Sequence, residues 1–146
     1  MEEGKIREPL GLRDFRVNVR VRLAALWTSL MFLYIYADYF QLKAPGVLEN
    51  TINLQTPVGP TTPQVLLGFS VLLIIPSLMI FLSVFLPPKI SRGLNIGVAL
   101  FYAAISILII ISGIGDAWQA FFVLFNVIEV FLFALIIRQA WKWPRG

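Results

Sequence analysis

Four windows of about twenty residues, each almost free of charge, constrain this chain more than any other feature. They are Leu23–Leu42, Gln64–Leu86, Gly93–Ser112 and Ala117–Ile137. A hydrocarbon core of about 30 Å demands that length of apolar helix. The expected fold is therefore all-α, a four-helix transmembrane bundle. Little is left over for a soluble domain. Residues 1–22 read as a basic N-terminal segment, 23–138 as the four-span membrane domain and 139–146 as a basic, aromatic tail.

Charge sets the expected orientation. Six Lys or Arg precede Leu23, two (Lys89, Arg92) lie between the second and third windows, and three (Arg138, Lys142, Arg145) follow the fourth. The opposite side holds Lys43 alone. This positive-inside bias places both the N- and C-termini in the cytoplasm of a multi-pass protein of the cell (inner, cytoplasmic) membrane. A cleavable signal peptide is not expected: the basic region is long, the first apolar run holds Asp38, and no small-residue cleavage site is evident.

Composition excludes several chemistries. Cys and His are both absent. Thiol redox chemistry, thiolate metal sites and Cys or His nucleophile–base pairs are ruled out with them. No cofactor and no metal is implied. The net charge of +4 is distributed beside the spans, where it meets lipid headgroups, so nucleic acid is not an expected partner and membrane lipids are. There is no P-loop, GxSxG, HExxH or dinucleotide fingerprint.

Along the chain, Met1–Leu12 is polar and expected to be flexible. Asp14–Arg22 alternates charge with valine, a strand-like period, but an isolated strand has nothing to pair with, so a helical or extended lead-in is expected. Tyr34, Tyr36, Tyr39 and Phe40 form an aromatic belt at the far end of the first window. Val47–Pro63, rich in Pro and Gly, reads as an irregular loop. Thr62 with Pro63 reads as the start of the second span. Pro76 sits mid-span, leaves the Leu72 carbonyl without its helical donor and should kink the helix; Ser77 is placed to compensate in part. PPKISR reads as a short basic turn with Ser91 capping the third span. Gly93 and Gly97 make a GxxxG that lets a second helix approach, within the chain or in a homo-oligomer; the internal contact is the expected one. Asp116 with Gln119 has the form of a capping box, and Trp141 and Trp143 anchor the tail at the interface.

The polar groups inside the spans are few. Glu129, with Asn126 one turn away, lies near the middle of the fourth window. No Lys, Arg or His shares that depth, so the expected state is the neutral acid. At about 1.5 Å rise per residue, Tyr102 and Pro76 fall at the depth of Glu129, and Tyr34 at that of Asn126. Asp38 is nearer the outer surface. These residues suggest a polar column: Asp38 and Gln119, then Tyr34 and Asn126, then Glu129 with Tyr102 and the opened carbonyl. Asn95, Ala99, Tyr102 and Ser106 form a small-polar stripe on the third span.

Together, ALW…YIYADYF (25–40), APG (44–46), IPSLMIFLSVFLP (75–87), SRGLNI (91–96), the IEV around Glu129 and AWKWP (140–144) make the chain resemble a family of four-span bacterial and archaeal membrane proteins classed as a domain of unknown function. The resemblance implies a four-helix membrane protein with counterparts of Asp38, Asn95 and Glu129, and supplies no activity. It also implies an acid two residues before the proline, where this chain has Ile74, which removes a second carboxylate near Glu129.

The leading expectation is a non-enzymatic membrane protein that binds or moves a small solute, ion or proton. Glu129 would be the protonatable group, with Asn126, Tyr102, Tyr34, Asp38 and Asn95 as the surrounding polar site. The alternative is a structural or accessory subunit whose buried polar residues only hold helices together. A lipid- or isoprenoid-modifying enzyme is a third class with no motif behind it.

Overall fold

The computed structural model describes Gly11 and residues 14–145. Most of the segment expected to be flexible, 1–12, lies outside the described residues.

The first helix, α1 (Val19–Gln41), begins inside the alternating segment. Asn18 caps it, its side chain accepting from the Arg20 backbone N–H at 3.0 Å. Residues 14–18 form neither helix nor strand. Arg20 also reaches across the bundle, its Nη1 donating to the Val84 carbonyl at 2.9 Å.

The loop after α1 is more ordered than its Pro and Gly content implied. Gly46 (φ 79°) turns the chain into a short helix, α2 (Val47–Ile52). A two-stranded hairpin comes next, β1 (Gln55–Thr56) against β2 (Gly59–Pro60), antiparallel, with Pro57 and Val58 at its tip. Gly59, at φ 125°, supplies the conformation that closes the turn. The Thr56 hydroxyl donates to the Gly59 carbonyl at 2.7 Å, and Thr61 N–H to the Leu54 carbonyl, also at 2.7 Å.

Helix α3 (Pro63–Phe85) starts as expected, with Pro63 at the first position and Thr62 Oγ1 accepting from Val65 N–H at 3.2 Å. Helix α4 (Pro88–Gly113) begins earlier than the basic-turn reading allowed. Pro88 is already at its first position, where a fixed φ favours helix. Ser91 is therefore a buried residue inside α4 rather than its cap. A 3₁₀ turn (Ala117–Gln119) leads into α5 (Ala120–Trp141). Asp116 caps that turn by accepting from Trp118 N–H at 2.9 Å. The bond observed is thus one turn-closing contact rather than the reciprocal pair of a capping box.

Among the described residues, four helices are long and apolar enough to cross a membrane: α1, α3, α4 and the run from Ala117 through α5. Their outward faces carry exposed apolar side chains such as Leu67, Val71, Ile74, Leu108 and Phe131, as lipid contact requires. An even number of spans brings both ends of the described chain to one side, here called the terminal end. Helix α1 packs against α3 and α5, α4 packs most extensively on α5, and of these neighbouring pairs α3 and α4 touch least. At the loop end the α4–α5 hairpin is tight: a Cβ on Gly113 would lie 2.7 Å from Val123 Cγ2.

The core joins Leu23, Trp27 and Leu30 of α1, Met79 of α3, Ala99 and Tyr102 of α4, and Phe133, Ile136 and Ala140 of α5. Trp27 meets Phe133 edge-on at 6.0 Å between centroids, and Phe133 stacks on Tyr102 at 6.4 Å. This well-filled core occupies the half of the bundle nearer the terminal end. The sparse α3–α4 contact leaves the other half open.

Candidate functional site

Where α3 and α4 diverge, a cleft of about 490 Å³ enters the bundle. All four spanning helices line it: Tyr34, Ala37 and Asp38 from α1, Phe69, Leu72 and Leu73 from α3, Tyr102, Ile105, Ser106 and Ile109 from α4, and Phe122, Asn126 and Glu129 from α5. Pro57 and Val58, the tip of the hairpin, border it as well. An apolar concavity with a few convergent polar groups is the general form of a small-molecule site.

Glu129 sits at the inner end, 2% exposed. Helical spacing on α5 puts Phe122, Asn126 and Glu129 on one face, which is why all three reach the cleft. Ser106 Oγ donates to Glu129 Oε2 at 3.2 Å. Among the described residues no other donor reaches the carboxyl. Asn126, equally buried, donates through Nδ2 to the Phe122 carbonyl of its own helix at 2.8 Å. Its amide oxygen has no donor among the described residues. Neither the Tyr34 hydroxyl nor the Asp38 carboxyl has a protein hydrogen bond there either. The lining thus holds two carboxyls and no Lys or Arg.

Tyr102 Oη donates to the Leu72 carbonyl at 2.6 Å, the carbonyl whose helical donor Pro76 removes. Ser77 does not serve Leu72: its hydroxyl donates to the Leu73 carbonyl at 2.9 Å. Asp38, Tyr34, Asn126, Tyr102 and Glu129 all line this cleft. Gln119 does not line it. Ser106, the partner of Glu129, was visible in the sequence only as the last member of the small-polar stripe.

Asn95 belongs elsewhere. It is fully buried in the terminal half, where Trp27 Nε1 donates to its Oδ1 at 2.7 Å and its Nδ2 donates to the Ser91 carbonyl at 2.8 Å. Ser83 Oγ lies 3.3 Å from the same Oδ1 and donates to the Met79 carbonyl at 2.6 Å. This satisfied network ties α1, α3 and α4 together and has no opening to the cleft. Gly93 and Gly97 are also not where the internal-contact reading put them: a Cβ on either would meet nothing within 4 Å. Neighbouring helices approach α4 on its other faces. No group of three His, Cys, Asp or Glu among the described residues is placed to hold a metal ion.

The chain belongs to DUF6326, a family of unknown function, whose model matches residues 12–146. No curated protein and no solved structure matches it.

Proposed function

We propose that the protein binds a small amphipathic solute carrying a cationic or hydrogen-bond-donating group in the cleft between α3 and α4, with Glu129 as the contacting group. The observation that supports this reading most is the charge and hydrogen-bond balance of the lining. Two carboxyls, two phenols, a serine hydroxyl and an amide face one space, no base lines it with them, and among the described residues the Asp38 carboxyl, the Tyr34 hydroxyl and the Asn126 amide oxygen are left without a hydrogen bond. In a low-dielectric site such groups favour a cation or a proton. The apolar wall of Phe69, Leu72, Leu73, Ile105 and Ile109 suits the body of an amphipathic molecule. The loose α3–α4 contact offers it a path from the lipid. Charge balance then couples binding to release of a proton from Glu129, the minimum requirement for proton-linked movement of the solute.

A second reading rests on two bonds. Ser106 to Glu129 joins α4 to α5, and Tyr102 to Leu72 joins α4 to α3. On this reading the polar groups only hold the helices, each contact being worth about 0.6–2 kcal/mol. Thermal unfolding of wild type and Glu129→Gln with tetraphenylphosphonium separates the two. Solute binding predicts equal stability without the cation and stabilisation of the wild type alone with it. A variant that is less stable from the start, with neither protein responding to the cation, supports the structural reading.

A further inference from the structure

At the terminal end lies a second concavity of about 450 Å³ that shares no residue with the solute cleft. Pro88, Lys89, Arg92, Gly93 and Ile96 of α4 line it together with Trp143, Pro144 and Arg145 from the tail. Three cations converge on it and no acid does. Trp143 is half-buried against the core, which fixes the tail as a wall of the cleft. Gly93 supplies open floor where a side chain would fill the space.

Arg92 is the informative member. Its guanidinium lies over the Trp141 ring, 5.5 Å from the centroid, so the side chain is held in place. Its Nε is shielded from solvent and, among the described residues, has no hydrogen-bond partner. That nitrogen faces away from the open cleft, but no acid lines the cleft beside Arg92, so the charge of its guanidinium is open to an anion there. The first backbone N–H groups of α4 add to the pull on an anion, since Pro87 provides no side-chain cap there.

We propose that this cleft holds the phosphate-bearing headgroup of an anionic lipid, with Arg92 as the central contact and Lys89 and Arg145 at its rim. Its place favours a lipid over a dissolved anion. It lies at the end of the spans, at headgroup level, and its floor runs through Ile96 onto the exposed apolar face of α4 at Leu100. Acyl chains can run along that face. Basic pockets between spanning helices are a general form of site for anionic headgroups.

The test is native mass spectrometry of the full chain in neutral detergent, titrated with phosphatidylglycerol, phosphatidylcholine or soluble glycerol 3-phosphate. Phosphatidylglycerol should bind in preference to phosphatidylcholine. Arg92→Gln should weaken it about fivefold or more, the scale of one interfacial cation. The exposed Arg22, outside the cleft, serves as the control, and Arg22→Gln should change little. Should Arg92→Gln fail to fold, the rim variant Lys89→Gln/Arg145→Gln gives the same reading from exposed positions. Equal losses in the Arg22 and Arg92 variants, or no preference over phosphatidylcholine, overturn the proposal. Glycerol 3-phosphate binding as tightly as the lipid would make the cleft a soluble-anion site and overturn the lipid assignment.

Discussion

The Tyr102 hydroxyl donates to the Leu72 carbonyl across 2.6 Å, so a side chain on α4 replaces the backbone donor that Pro76 took from α3. Within a bilayer that carbonyl has no water to turn to. The bond holds the loosest pair of neighbouring helices at the floor of the cleft, and it makes the proline tolerable.

Tyr102→Phe should therefore destabilise the protein by about 1 kcal/mol, near the range measured for interhelical bonds in membranes. In a Pro76→Ala background the helix regains its own donor, and the same Tyr102→Phe change should cost markedly less. A double-mutant cycle on unfolding in mixed micelles reads the difference. Equal costs in both backgrounds would mean that Tyr102 does not compensate for the proline.

Asn95 and Glu129 should separate cleanly. Asn95→Ala removes the acceptor of Trp27 Nε1 and the donor to the Ser91 carbonyl, leaving buried groups unpaired at a cost of about 1–3 kcal/mol. Because Asn95 does not line the cleft, the folded fraction should bind the solute probe as the wild type does. Unfolding curves, combined with binding measured under conditions where both proteins are fully folded, test both halves of this statement.

The glycines of α4 should behave in opposite ways. Gly113→Ala puts a Cβ 2.7 Å from Val123 Cγ2 and should cost about 1–3 kcal/mol, relieved by Val123→Ala. Gly93→Ala and Gly97→Ala meet open space and should be neutral or stabilising by up to about 1 kcal/mol in the monomer. If protomers pair through that open face, as the GxxxG spacing allows, Gly97→Leu should abolish cross-linking between copies; unchanged cross-linking would dismiss the pairing.

Sidedness rests on charge alone. The Lys and Arg of both tails and of the α3–α4 junction all belong to one end, with Lys43 at the other, so reporter fusions should find both termini in the cytoplasm. An extracellular terminus would contradict the charge argument.

Much of the fold was legible in the sequence because membrane spans leave a strong signal in charge and length. The orphan carbonyl of Leu72 was legible too, since proline names it four residues back, but its partner was not: Ser77 was the expected compensating group, and Tyr102 takes that place from another helix. The fate of Asn95 was not legible either. It shares a stripe with Tyr102 and Ser106, but it sits two helical turns from Tyr102 toward the terminal end, where Trp27 and Ser83 are its neighbours. A stripe gives the face, and only packing gives the partner. The choice of Ser106 for Glu129 was hidden for the same reason. The α2 turn and the hairpin were missed because Pro and Gly mark where a helix stops and leave the path of the next residues open. The GxxxG spacing showed that a close approach was permitted, and the helices pack elsewhere.

Solute binding in the cleft and proton loss from Glu129 are one event in the proposed function, and counting protons tests it. Calorimetric titration with tetraphenylphosphonium, repeated in buffers of different ionisation enthalpy, gives the number released on binding. About one proton per cation bound is expected for the wild type and none for Glu129→Gln at equal folded fraction. Binding without proton release, or the same release in the variant, would contradict the coupling.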